Sequence, residues 1–151
     1  MAKDFKSSQN NRNAYAAIAP ELAEMGSVPP QAVELEEAIL GAMMLENDSI
    51  GIVQEFLSEA AFYTEEHRLI YRAIDELAQS DKPVDLYTVT DRLKSKRELT
   101  KVGGAAYLAQ LTQRVGSAAN VEFHAKIIAQ KYVQRELIRS ATEIQRRSYD
   151  E

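Results

Sequence analysis

The residues whose types and spacing could do chemistry are few. His67 directly follows Glu65 and Glu66, a set that could hold a metal ion or exchange a proton. Glu34, Glu36 and Glu37 gather carboxylates at one predicted helix start, Gly103-Gly104 could turn the chain onto a phosphate, and Lys94, Lys96, Arg97 and Lys101 concentrate positive charge. Each set has a plainer reading. His67 and the other histidine, His124, fall on different predicted helices and neither has H-E-x-x-H spacing, so His67 is read as part of a solvated helix face. The glutamates have E-x-E-E spacing rather than the Glu-x-x-His of di-iron bundles. No Lys-Ser or Lys-Thr follows the glycine pair and no G-x-G-x-x-G occurs, so the pair marks a helix start. The basic cluster sits at a predicted helix end, where cations meet the negative pole of the macrodipole, and no aromatic rings interleave with it for base stacking. Cysteine is absent, which removes disulfides, thiolate metal sites and cysteine nucleophiles. Nothing in these patterns supports catalysis, a resident metal or a cofactor.

The elements that would position these residues read as helices throughout. Val33, Leu35, Ile39, Leu40, Met43 and Met44 recur at three- and four-residue spacing over an acidic opposite face. Asn47-Asp48-Ser49 predicts the cap of a short helix from Ile50 to Leu57, and Thr64 predicts the cap of a third that ends near Ser80-Asp81-Lys82-Pro83. Asp85 predicts the cap of a fourth, with Leu86, Val89 and Leu93 inward. A strand over Val84 to Thr90 is the alternative, disfavoured because no partner strand is in sight. A fifth helix runs from about Ala105 to Val115 with Tyr107, Leu108 and Leu111 on one face. After a Gly116-Ser117 turn, Asn120 caps a long sixth helix that reaches toward Tyr149 without Pro or Gly. The expected core joins the first and third helices through Leu35, Ile39, Phe62, Tyr63, Leu69, Ile70 and Ile74. Before this folded part, residues 1–13 read as a polar disordered tail, and Ala14 to Met25 as one weak helix interrupted by Pro20.

The long helix is wider in apolar residues than one short neighbour can cover. Val121, Ala125, Ile128 and Tyr132 form one row, and Ile127, Val133, Leu137, Ala141 and Ile144 a second. Either the domain body covers the excess, or the last two helices form an αα-hairpin that self-associates. The self-association reading places Ile127, Ile128, Tyr132, Leu137 and Ile138 in a dimer or hairpin seam and expects Ile128→Asp to weaken association.

With 151 residues, 45% hydrophobic and 27% charged, the chain is long enough for one domain with its own core. The net charge of -5 argues against a nucleic-acid footprint. Its distribution is uneven: residues 31–60 hold seven acids and no Lys or Arg, whereas 86–120 hold six bases and two acids. Such polarity favours internal docking or an oriented protein partner. With neither an apolar run long enough to span a bilayer nor a secretory leader, the expected compartment is the cytoplasm.

Taken in order, Val28-Pro-Pro-Gln31, Glu34-x-Glu36-x-Ala38-x-Leu40-Gly-Ala42, Phe62-Tyr63-x-x-x-His67, Ile70-Tyr71, Pro83-Val-Asp85-Leu86, Thr88-Val-Thr90, Gly103-Gly104-x-x-Tyr107-Leu108 and Ser117-Ala-Ala-Asn120 form a specific series. The series resembles the N-terminal domain of the bacterial replicative DNA helicase, the DnaB family, over residues 28 to 148. The resemblance implies an all-α fold: a globular bundle of about six helices with a protruding C-terminal αα-hairpin. It implies a tail over 1–27, a helical globule over 28–102, a dimerisation hairpin over 103–149 and a linker starting at 150–151. Hairpin dimers, three to a hexamer, would form a collar, with Tyr107, Leu108, Leu111, Ile127, Ile128, Tyr132, Leu137 and Ile138 in the hairpin. The collar would recruit the primase C-terminal domain, through a surface that includes Glu34 and Tyr107, and in some members a helicase loader. ATP, magnesium and most DNA contacts would belong to a RecA-like ATPase domain absent from this sequence, so the fragment itself is expected not to be an enzyme and to need no cofactor. The alternative from another class is a free-standing helical nucleic-acid-binding module built on Lys94, Lys96, Arg97 and Lys101.

Overall fold

A computed structural model describes residues 28–114 and 118–150. The readings made for residues 1–27, for Val115 and for the Gly116-Ser117 turn lie outside the described residues. The described elements are α1 (Val33–Leu45), α2 (Asp48–Phe56), a 3-10 turn at Glu59–Ala61, α3 (Glu65–Gln79), α4 (Leu86–Ser95), α5 (Gly104–Gln113), a 3-10 turn at Ala118–Asn120 and α6 (Val121–Asp150). Among the described residues no strand occurs.

Local chemistry explains several boundaries. Thr64 Oγ1 accepts the His67 N–H at 3.2 Å, and Glu65 and Glu66 place negative charge at the positive end of α3. Asp85 Oδ1 accepts the amides of Tyr87 and Thr88, while Thr88 Oγ1 accepts the Asp85 N–H at 2.9 Å. This reciprocal capping box fixes 86–95 as helix and settles the strand alternative. Gly103 precedes α5 with φ of 104°, a backbone that favours glycine, and a Cβ there would crowd the Tyr107 Cβ at 3.1 Å.

α1 lies at the centre, in contact with each of the other five helices. α5 packs chiefly on α1, α3 packs on α4, and the first half of α6 packs on α1 and α2. The core is filled by Ile39, Leu40 and Met43 of α1, Ile70 and Ile74 of α3, Val89 and Leu93 of α4, Leu108 and Leu111 of α5, and Ala125 and Ile128 of α6. Of the residues expected in the core, Ile39, Phe62, Leu69, Ile70 and Ile74 are buried, and Leu35 and Tyr63 are half-buried at its edge. Thus α5 belongs to the body through α1, and the part that projects is the C-terminal half of α6.

Candidate interaction surfaces

α6 leaves the body at Arg135. The guanidinium donates to the carbonyl oxygens of Pro30 and Ala61, each at 2.8 Å, and lies 5.3 Å from the Tyr63 ring centroid and 5.7 Å from that of Tyr132. One side chain thereby ties the entry of the domain, the Glu59–Ala61 turn and two aromatic rings to the long helix. Beyond it the side chains are exposed, apart from half-buried Glu136 and Glu143. The polar ones bond within their own helix: Arg139 to Glu136, Arg146 to Glu143 and Asp150, and Arg147 to Glu143. These pairs hold the Glu136 and Glu143 carboxyls below the usual carboxylate range, chiefly through the hydrogen bonds from Arg139 and from Arg146 and Arg147. The helix is thus braced along one side with no help from the body. On another side Val133, Leu137 and Ile144 form a stripe, and Ile138 and Tyr149 are exposed about a third of a turn away from it. Leu137 is 64% exposed, Ile144 67% and Tyr149 84%. A continuous apolar stripe left open on a braced helix marks an interaction surface.

The other surface is a cleft of about 660 Å³, lined by Val33 next to Glu34, Thr64, His67, Lys101, Tyr107 and Gln110 among others. Its wall holds a polar relay across three helices. Glu36, 1% exposed, accepts the Tyr63 N–H on both carboxylate oxygens and lies 2.9 Å from His67 Nδ1. His67 Nε2 lies 2.8 Å from the Tyr107 hydroxyl, which donates to Glu37 Oε1 at 3.2 Å, and Arg114 donates to Glu37 Oε2 at 2.9 Å. The His67 and Tyr107 rings are stacked at 6.3 Å. Burial, then the charge and hydrogen bond of Glu37, push the Tyr107 hydroxyl up to about 12, so it keeps its hydrogen at ordinary pH.

This relay corrects two sequence readings. His67 is not on a solvated face: it is 1% exposed, while its neighbours Glu65 and Glu66 do face solvent. Glu36 likewise is not part of the acidic outer face. The signal was present in the spacing. Glu36 precedes Ile39, Leu40 and Met43 by three, four and seven positions, and His67 stands in the same relation to Ile70, Tyr71 and Ile74. Each occupies the core stripe of its helix, and satisfied polar partners make that burial tolerable.

The basic cluster is partly neutralised. Lys96 Nζ bonds Glu76 Oε1 at 2.9 Å and lies 3.9 Å from Glu98, while Arg92 takes the other Glu76 oxygen. Burial alone would raise the Glu76 carboxyl, but the hydrogen bonds from Lys96 and Arg92 outweigh it and hold the group below its usual range. Lys94, Arg97 and Lys101 are exposed. Among the described residues no group of acidic residues and histidines is arranged to hold a metal ion, and no helix is long and apolar enough to cross a membrane.

The family model of the DnaB-like helicase N-terminal domain matches residues 28–130. The chain belongs to that family. The replicative DNA helicase DnaB of Rhodothermus marinus is 49% identical over 127 residues, a stretch covering 84% of this chain and 13% of that relative. The crystal structure of the N-terminal domain of DnaB helicase from Mycobacterium tuberculosis superposes with a TM-score of 0.79 at 36% identity, covering 81% of this chain and 88% of that one. A DnaB N-terminal domain from Helicobacter pylori, described together with its interactions with primase, shares the fold at 19% identity with a TM-score of 0.67, covering 76% of this chain and 89% of that one.

Within this DnaB-like domain the residues singled out from sequence fall into separate places. Leu108, Leu111 and Ile128 are core, fully covered by the domain itself. Ile127 and Tyr132 are half-buried at the edge of the body, and Leu137 and Ile138 stand open on the projecting half of α6. Glu34 is exposed at the start of α1, and half-buried Tyr107 shares with Val33 the cleft described above. The relay members Glu36 and His67 and the anchor Arg135 were missed. Arg135 had no local signal, because its carbonyl partners lie 105 and 74 positions away.

Proposed function

We propose that this domain is the collar module of a hexameric replicative DNA helicase, joining subunits and recruiting partners while the ATP-driven motor lies outside these residues. The observation that carries the reading is the open stripe of Val133, Leu137 and Ile144 on a helix whose charged side chains pair among themselves. Hiding that stripe in water favours association, and a second copy presents the same face, so pairing through α6 followed by assembly of dimers into a ring meets the need. Sedimentation of the chain tests this. The parent should form dimers or larger multiples at micromolar concentration, and Leu137→Asp should shift it to monomer with its helical circular-dichroism signal intact. A parent that stays monomeric at high micromolar concentration would sink the proposal.

The same proposal gives the cleft face to primase, with a helicase loader as a further partner. Support comes from the family, from the Helicobacter pylori relative described with primase, and from the exposed carboxylate of Glu34 beside the Tyr107 cleft. The acidic stretch 31–60 offers that charge to a basic partner without a nearby Lys or Arg in sequence. Titration of the cognate primase C-terminal domain should show weaker binding by Glu34→Ala and Tyr107→Ala at unchanged oligomer size. If both bind as the parent does, primase docks elsewhere.

A further inference from the structure

A second groove, at the root of the projecting half of α6, carries charge that the body does not balance. It holds about 650 Å³ between the entering residues Val28 and Pro29 and the stretch of α6 from Tyr132 to Arg139. Its apolar wall includes Val28, Tyr63, Tyr132 and Ile138, and Val28 and Ile138 stand 63% and 54% exposed. Its charged wall holds Arg68, Arg135 and Arg139 against Glu136, three cations to one anion, which leaves two net positive charges. Arg139 pairs with Glu136. The other two guanidiniums donate to carbonyl oxygens, Arg135 to those of Pro30 and Ala61, and Arg68 to those of Phe62 and Tyr63. A carbonyl satisfies a donor and cancels no charge, so the groove suits an occupant that is apolar and acidic at once. Along α6 its lining residues Tyr132, Arg135, Glu136 and Arg139 lie about a third of a turn from the stripe of Val133, Leu137 and Ile144, so filling it leaves the stripe open.

We propose that this groove is the docking site of the chain's own residues 14–25, which strap the root of α6. The sequence of that segment, Ala-Tyr-Ala-Ala-Ile-Ala-Pro-Glu-Leu-Ala-Glu-Met, contains Glu21 and Glu24 and no Lys or Arg, so its two negative charges match the two positive charges of the groove. Ile18, Leu22 and Met25 supply the apolar part. Pro20 suits the start of a turn in which Leu22 and Met25, three positions apart, have Glu21 and Glu24 beside them. Only Gly26 and Ser27 separate Met25 from Val28, which already lines the groove, so the strap meets its site at high effective concentration and without crossing the body. Docked there, Glu21 and Glu24 face Arg68 and Arg135, and an acidic segment of another protein reaches the groove only by displacing the strap. The assignment is independent of pairing through the stripe, and either can fail without the other.

The test exploits the absence of cysteine, which makes any introduced thiols the only ones in the full chain. Leu22→Cys with Ile138→Cys sets one thiol on the strap and one on the exposed groove wall, outside the core. Under oxidised glutathione the pair should close to a disulfide within one chain, seen as a faster-running monomer band on a non-reducing gel. Adding Glu21→Lys and Glu24→Lys keeps the tether length and reverses the charge, so closure should slow roughly tenfold while the helical circular-dichroism signal holds. Equal rates in the two chains would reduce the closure to random collisions of a tether and overturn the proposal, leaving the groove to a separate acidic protein. A disulfide between two chains as the main product would assign the groove to the tail of a second copy and overturn it as well. So would the absence of any disulfide.

Discussion

The two halves of α6 carry similar apolar residues at similar spacing and meet opposite ends. Val121, Ala125 and Ile128 are buried against α1 and α2, whereas Val133, Leu137 and Ile144 face solvent. The helix is continuous from Val121 to Asp150, so the difference lies entirely in what the rest of the chain sets beside it. Polar contacts divide in the same way. In the body, Glu36, His67, Tyr107, Glu37 and Arg114 bond between helices, while beyond Arg135 the ion pairs stay within one helix. A body element is stabilised by its neighbours, and the projecting element is stabilised by itself, which leaves its apolar side uncommitted. Helical periodicity announces that a face needs cover, and it is silent on whether the cover lies in the same domain.

Substitutions along the chain test this division by the size of their effect on the fold. Ile128→Asp should do the most damage. The side chain is 1% exposed, so the new carboxylate would be buried without a partner, costing about 4 kcal/mol or more in urea unfolding. That result would correct the expectation that Ile128→Asp acts through association, because Ile128 has no surface to lend to a partner. Alkaline pH comes next. Burial, then the charges of Asp75 and Glu59, push the Tyr71 hydroxyl up to about 12, and it donates to the Leu57 carbonyl at 2.9 Å. A group raised in the folded state adds stability that is complete below its unfolded value of 10 and is lost as pH climbs through about 12. Tyr107 adds a loss of the same sign over the same range. Tyr71→Phe should therefore lose less stability between those two pH values than the parent does. Asp85→Ala removes one side of the capping box and should cost about 1 kcal/mol, measured by thermal unfolding at fixed pH. Leu137→Asp should cost least, within about 0.5 kcal/mol of the monomer's stability, while abolishing the proposed self-association. If Leu137→Asp unfolds the domain as Ile128→Asp does, the two halves are not distinct.

What could be read from sequence was local. Thr64 and Asp85 announced α3 and α4 because a cap and the amides it serves lie within three positions. The buried rows of α1 and α3 were equally plain, since their spacing is a property of one helix. The family was legible because its marks come in a fixed order along the chain. The relay was hidden because its partners are 31 and 40 positions apart, and because a charged residue type was allowed to outweigh its position on an apolar stripe. The division of α6 was hidden for a similar reason: Ile128 and Leu137 look alike until α1 and α2 are seen to end their contact between them.

Arg135 gives the projecting half a mechanical character. The fifteen residues from Glu136 to Asp150 make an arm about 22 Å long, at a rise of about 1.5 Å per residue. Its fulcrum is a single guanidinium resting on two carbonyl oxygens and two rings. A tilt of about 10° at that pivot would sweep the far end through about 4 Å, close to one residue's step along a strand and enough to move Ile144 and Tyr149 out of one set of contacts and into another. The helix runs unbroken through this point and its other half is held in the core by Val121, Ala125 and Ile128, so such a tilt would have to bend the helix or break the Arg135 contacts to Pro30 and Ala61.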